Sequence, residues 1–573
     1  MSEKQSDQTC LFILDQTETP DDVDEYSCNR VRWNDSAYCI WHADVSDKPI
    51  SELKNHRSDT GERLDGAIIN DIDFSDEISF TDCSLINAQA ENSKFKGIHQ
   101  RVDFRGADLT NTVFKNSGLD RCDLSQSIIK NADFSNSSLV NADFTGATTD
   151  YTDFSNANLR KAKLCELDLT NCKLVGSILR EIDFTGSEAK NQKLSDLNIS
   201  DATFVDSNLS NSDFSNSNLS HIDFSNAVIE NADFTGVNAS SSCFSESSIS
   251  RSDCSNADFE GSEFNNTDFT DAKASDSNFK DIRAKNATFK RTDFSKSNFK
   301  RANLSGTHLD DADLQDTNMQ SAILSSGVLS FADLTKCDAR SALFKKTDLE
   351  NTNLTQADLR DADLQQSLLY QVILTDARVN DTTDFGTSCR YETDSDTSIR
   401  FDDSTHRLEA AAWTYRRLND LYSTNSMADQ SYRYHYKKEE AKRSYYRKKR
   451  NYIKYTISTL NRWLTRHGEG LSNIITASIL VIVLGAVFYP FLGGIRGENG
   501  VIYSLEPCIC IGSNIFDVLL NNLYFSLSTF SAIGSNSHAP VGLVTKYFAS
   551  IQSLFGTLLT ALFIFTLGRR VNR

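Results

Sequence analysis

This 573-residue chain contains no glycine-rich phosphate loop, no nucleophile spaced to meet a base, and no apolar stretch at its N-terminus. The first two absences leave it without recognisable machinery for phosphoryl or acyl transfer, so no catalytic residue is assigned and the chain reads as a non-enzyme. The third, a polar Met1–Asp24, predicts no secretory leader. Positive charge is also short. There are 59 Lys and Arg against 79 Asp and Glu, a formal net charge of −20, which argues against direct nucleic-acid binding. Finally, the central half shows neither the 3.6-residue apolar period of a helix nor the 2-residue period of a strand.

What it shows instead is a period of five. From Phe104 through Leu109, Phe114, Leu119 and Leu124 to Leu374 and Val379, every fifth residue is large and apolar with few exceptions. Counting every fifth position from 104 to 379 gives 56 consecutive units. Two residues before each stands a small one (Ala107, Thr112, Ser117, Cys122), and between the two sits Asp or Asn, as in Ala132-Asp133-Phe134. This pattern resembles the pentapeptide-repeat family. The resemblance implies a right-handed quadrilateral β-helix with four units per coil, hence 14 coils here. At strand spacing such a rod is roughly 65–70 Å long. The small residue and the central one both point inward, because two large residues per side would overfill the interior. Where the central position shrinks, as at Ala284 and Ala239, the residue two before grows to Ile282 and Val237, keeping volume.

The repeats begin raggedly. Leu64, Ile69 and Phe74 share the phase of the main run, Phe80, Leu85 and Phe95 are one residue off, and phase returns at Phe104. These slips predict a bulge at one corner of the early coils. Four domains are expected: an N-terminal Cys/His cap over 1–63, the β-helix over 64–386, a cytoplasmic helical linker over 387–472, and a two-helix membrane pore domain over 473–573. Cys122, Cys172 and Cys337 occupy the small inward position, Cys83 does so in the shifted frame, and Cys254 is central; these read as buried apolar groups. The cap contains Cys10, Cys28, Cys39 and His42, a Cys3His set that suits one structural Zn²⁺. The alternative is three free thiols beside a surface histidine.

Beyond the repeats, Thr387 to Asp403 reads as a linker or C-terminal cap. A helix follows, with Leu408, Ala411, Ala412, Tyr415, Leu418 and Tyr422 on one stripe. After a turn at Ser423–Ser426 a second helix is expected from about Ala428. Its Lys437–Lys454 portion holds nine Lys and Arg and two Glu. Two uncharged runs, Ile474–Leu492 and about Tyr547–Leu567, each match one bilayer thickness. Basic residues flank their outer ends, which predicts two membrane spans with both termini cytoplasmic, and places the basic helix at anionic lipid.

Between the spans lies Tyr524-Phe525-Ser526, then Thr529, Ser531, Ala532, Ile533, Gly534, Ser535 and Asn536, with Pro540 beyond. This stretch resembles the pore helix and selectivity filter of two-transmembrane potassium-type channels, and Gly556 matches that family's hinge glycine. The resemblance implies four chains around an axis, with carbonyl rings replacing an ion's hydration shell. The filter departs from the family where Ala532 replaces a threonine, Ser535 a tyrosine, Asn536 a glycine and Ser537 an acidic residue. These departures predict a weakly selective pore for monovalent cations. The sequence-based reading is thus a homotetrameric cation channel in membrane lipid, with a cytoplasmic repeat rod that regulates or tethers it and is open to an unidentified cytoplasmic protein partner; the competing reading is a non-conducting membrane-anchored pentapeptide-repeat interaction scaffold. Cys508 and Cys510 fall between the spans, where spacing leaves open whether they pair or stay free.

Overall fold

The computed structural model describes residues 8–14, 26–57, 61–75, 78–392, 403–467, 470–505, 515–533 and 537–571. The chain divides into two compact units, Met1–Ser388 and Cys389–Arg573.

The first unit is a β-helix. Its coils are joined by parallel bridges in a 20-residue register, such as Asp133↔Asp153↔Lys173, with a bridge in every five-residue unit and hence four units per coil. The chemistry of one unit explains its sequence. The central Phe134 is fully buried and its N–H donates to the Asp153 carbonyl of the next coil at 2.8 Å. Asp133 accepts from the Ser135 N–H at 2.9 Å, an Asx turn that closes the corner. The repeated Asp residues are therefore turn-formers. Two residues after the centre, Asn136 is left-handed at φ 56°, and the same position is filled along the rod most often by Asn, Asp or Gly, though Arg121, Lys161, Glu181, Ser241 and Phe331 also adopt it. Asn and Gly carry the smallest penalty there. Phenylalanines twenty residues apart stack face to face: Phe114 on Phe134 at 4.9 Å and Phe134 on Phe154 at 5.3 Å.

The early slips cancel over two coils: the first coil carries one residue more than the regular coil, as a corner bulge needs, and the next carries one fewer. The first coil pairs at 21 residues (Arg63↔Ser84, Ile68↔Gln89), the next at 19 (Ser84↔Asp103, Gln89↔Asp108), and the 20-residue register starts at Ile98↔Gly118. Phase also returns one unit before Phe104. His99 fills the central position, fully buried, with its Nδ1 accepting from the Phe80 N–H at 3.2 Å. Burial lowers the His99 pKa to about 4, so it serves as a neutral core residue.

Before the coils, the strands β1 (Ile13–Leu14) and β2 (Tyr26–Ser27) pair antiparallel, and a short helix α1 (Ile50–Asn55) follows. Trp41, fully buried, packs edge-on to Phe80 at 6.2 Å and accepts at its carbonyl from the Ile68 N–H at 2.7 Å. Glu62 ties the segment together through Arg30 at 2.7 Å and Arg57 at 3.0 Å.

The second unit opens with a helical hairpin, α2 (Ser404–Thr424) against α3 (Ala428–Lys448). Tyr434 stacks on Tyr422 at 5.5 Å between them. The Thr387–Asp403 stretch is more than a linker at its start: the Cys389 N–H donates to Tyr415 Oη at 2.7 Å and Tyr391 is buried. The basic helix does not run on to Lys454. Arg450 turns left-handed at φ 57°, and the Asn451 side chain caps a new helix, α4 (Tyr452–Thr465), by accepting from the Lys454 N–H at 3.2 Å. Then come α5 (Leu471–Phe488), the strands β3 (Ile495–Gly497) and β4 (Ile502–Tyr503), α6 (Ile515–Phe530), β5 (His538–Pro540) and α7 (Gly542–Val571). The three strands form one sheet in the order β4-β3-β5. Two helical segments, Leu471–Phe491 and Gly542–Gly568, are long and apolar enough to cross a membrane.

Candidate functional site: a short helix between two spans

The site is built on α6, which packs against both long helices. Phe530 at its C-terminus joins Ile474, Ala477 and Leu559 in one core, while Phe525 joins Tyr489, Ile495 and Ala549 in another. Between these cores runs a polar chain. Ser526 Oγ donates to the Ile482 carbonyl at 2.6 Å, Gln552 Nε2 donates to Ser526 Oγ at 2.6 Å, and Tyr489 Oη donates to Gln552 Oε1. Every member sits in an apolar setting, so each bond is costly to leave unmade. Gly485 makes room for this chain: a Cβ there would lie 2.4 Å from Ser526 Oγ and 2.6 Å from Gln552 Nε2. Gln552 and Tyr489 were not singled out in the sequence, although a lone amide inside an apolar span is a readable signal.

Of the filter-like residues, Thr529 ends α6 with Phe530, and Ser531, Ala532 and Ile533 continue in non-helical backbone. Ala532 is left-handed at φ 55° and its N–H donates to the Thr529 carbonyl at 3.3 Å. Ile533 is 84% exposed in the single chain. Gly534, Ser535 and Asn536 lie outside the described residues, as do Cys508 and Cys510. Beyond them His538 returns to α6, with its Nε2 2.9 Å from Asn521 Oδ1. Gly556 lies in the middle of α7 and faces the end of α6, where a Cβ would fall 2.0 Å from the Phe530 carbonyl oxygen. Close approach alone therefore requires a glycine at this position.

Ahead of the first span, Glu440 on α3 gathers three partners: Arg443 at 2.7 Å, Arg462 of α4 at 3.1 Å, and His467 at 3.0 Å. Burial raises the Glu440 pKa, but Arg443, His467 and Arg462 outweigh it and hold the carboxyl below its ordinary value. On α4, Tyr452, Ile453, Ile457, Leu460 and Trp463 are all exposed and share one face.

The Cys/His set of the N-terminal segment is brought together. Cys10, Cys28, Cys39 and His42 are all buried, with their ligand atoms within 4.8 Å of one another. Elsewhere, Cys122 and Cys337 are buried at inward positions, and burial pushes the Cys122 thiol up to about 12, which makes it inert at neutral pH.

Comparison with known proteins divides the chain in the same way. A pentapeptide repeat region model matches residues 98–174, and pentapeptide repeats match overlapping stretches from 193 to 376. An ion channel model matches residues 476–573. These families are not enzymes. No curated protein sequence matches the chain. Among solved structures, HetL, a pentapeptide repeat protein involved in heterocyst differentiation regulation in the cyanobacterium Nostoc, is similar at 23% identity over 49% of this chain and 87% of its own, with a TM-score of 0.14. QnrB1, a plasmid-mediated fluoroquinolone resistance protein, is similar at 19% identity over 34% of this chain and 91% of its own, with a TM-score of 0.21. The chain thus carries a pentapeptide-repeat region and, C-terminal to it, a region that matches an ion channel domain of the two-transmembrane, potassium-channel-like kind.

Proposed function

We propose that the protein is one subunit of a homotetrameric membrane channel, weakly selective for monovalent cations, whose repeat rod regulates or tethers the pore from the cytoplasm. One observation carries this reading most strongly. In a single chain α6 leaves Ile515, Phe516, Leu519, Leu520, Leu523 and Leu527 exposed, and Ile533 beyond it. Non-helical backbone at membrane depth survives only where protein or a water-filled cavity surrounds it, so residues 531–533 call for further subunits around an axis. Gly534, Ser535 and Asn536 would complete the carbonyl-lined passage, with Gly556 as the point where α7 meets the pore helix. The right-handed, four-sided form of the β-helix belongs to this same reading, supported by four units per coil.

Orientation follows from charge. Arg447 to Lys454 precede the first span and Arg569 and Arg570 end the second, which supports cytoplasmic termini at an anionic leaflet. The apolar face of α4, with Trp463 and Ile457, suits the headgroup boundary. The experiment is reconstitution of the full chain with a count of subunits per conducting unit by native mass measurement. Current from a four-chain assembly supports the reading, and its abolition by Gly534→Asp supports the filter position. A well-folded four-chain assembly that stays silent favours the second reading, a membrane-anchored scaffold whose acidic rod binds a cytoplasmic protein.

A further inference from the structure

We propose that Cys10, Cys28, Cys39 and His42 bind one structural Zn²⁺ that closes the N-terminal end of the β-helix. The four ligands come from three separate places in the chain: ahead of β1, just after β2, and the turn at residues 39–42. Local sequence gives no reason for them to meet. They nevertheless converge on one point, buried and away from solvent.

The distances fit a tetrahedral ion. Bonds of about 2.3 Å to sulfur and about 2.0–2.1 Å to nitrogen give edges of about 3.8 Å between sulfurs and about 3.6 Å from sulfur to nitrogen. Here Cys28 Sγ lies 3.7 Å from Cys39 Sγ, Cys10 Sγ lies 3.7 Å from His42 Nδ1, and Cys39 Sγ lies 3.2 Å from the same nitrogen. A set of three thiolates and one imidazole in this geometry selects zinc among the common divalent ions.

The surroundings fix the imidazole as a ligand. His42 Nε2 lies 2.9 Å from the Asp65 carbonyl oxygen, which can only accept, so Nε2 carries the proton and the Nδ1 lone pair faces the sulfurs. Phe12 stacks on the His42 ring at 4.0 Å and 2°, which locks its plane. Gly66 permits this, since a Cβ there would lie 2.0 Å from Phe12 Cζ. Charge is matched as well. Zinc with three thiolates carries one net negative charge, and the buried Lys48 and the Arg30 guanidinium, 3.7 Å from Cys28 Sγ, stand beside it.

The site is closed: four protein atoms fill four positions, with no place for a reacting water, so its role is structural. Asp65 belongs to the first coil, and the His42–Asp65 bond therefore ties the metal-held segment to the end of the rod. An uncapped β-helix presents open backbone groups and an apolar interior at its end. A polar segment too short to build its own core gains its fold from the metal.

The test uses the full-length protein in detergent. Elemental analysis is expected to find one zinc per chain, falling by at least about tenfold in Cys39→Ser and unchanged in Cys165→Ser, whose thiol lies outside the set. Cobalt substitution of the wild type is expected to give the near-ultraviolet thiolate charge-transfer band and the strong visible bands of a tetrahedral site. Chelation of the wild type provides a second arm that does not depend on the folding of Cys39→Ser: amide protection over residues 26–57 is lost, that over 98–376 persists, and added zinc restores the loss. Metal-free wild-type protein with full protection over 26–57 overturns the proposal, as does stoichiometric zinc retained by Cys39→Ser or a different metal in its place.

Discussion

Replacing Gly556 by alanine tests whether this glycine is fixed by contact with the pore helix. The added Cβ would stand 2.0 Å from the Phe530 carbonyl oxygen, with the Phe530 carbonyl carbon and Cα at 2.8 and 2.9 Å. These are backbone atoms, which cannot swing aside as a side-chain tip can. Either α7 or the end of α6 must recede by about 1 Å to reach even the tightest ordinary contact, and overpacking of this kind costs about 1–3 kcal/mol. The strain falls on Phe530, immediately before Ser531, Ala532 and Ile533. Gly568 provides the control, because a Cβ there meets nothing within 4 Å. Thermal unfolding of the second unit, followed in detergent without an ion gradient, is expected to drop for Gly556→Ala and not for Gly568→Ala. Conductance, where measured, should change in the first variant alone. Equal stability of the two variants would refute the contact argument and leave a hinge as the reason for the glycine.

Three further predictions follow from the geometry. Phe134→Ala empties the centre of a stack with Phe114 and Phe154, and is expected to cost about 3–5 kcal/mol, seen as lost amide protection in the coils that contain those three residues and not at the distant end of the rod. At the left-handed corner, Asn136→Val should destabilise by about 1–2 kcal/mol while Asn136→Gly is close to neutral, which denaturant unfolding of the pair would check. The clasp between α3 and α4 should loosen in acid. Because the folded Glu440 pKa is depressed below its ordinary 4.5, its stabilising contribution is fully present above that value and is lost as pH falls through the lower folded value. Exchange protection of α4 should therefore drop in acid, and Glu440→Gln should remove that pH dependence.

Most of the β-helix was legible because its period is set by the backbone and repeated dozens of times. The five-residue spacing named the inward positions, and burial of Phe134, Ala132 and Cys122 agrees with it. The early slips were legible as slips, but not as a pair that cancels, because His99 is polar and hides a central position that only burial reveals. In the second unit, the turn before Ala428 could be read, while the break at Arg450 could not be told from charge alone. The signal was there in Asn451, a helix cap followed by the apolar residues Ile453, Ile457 and Leu460. The two spans followed from length and polarity. The polar chain of Tyr489, Ser526 and Gln552 did not, since it joins residues far apart in the chain whose partners no local pattern specifies. For the same reason spacing alone left the Cys/His set open between a metal centre and free thiols, and only their convergence favours the first.

The central claim is conduction by the last hundred residues, and reversal potentials across a planar bilayer test it most directly. With the full-length protein reconstituted under KCl and NaCl gradients, the account predicts currents that reverse near the cation equilibrium potentials, with little distinction between K⁺ and Na⁺. Reversal at the chloride potential, or silent membranes containing well-folded four-chain assemblies, would contradict it.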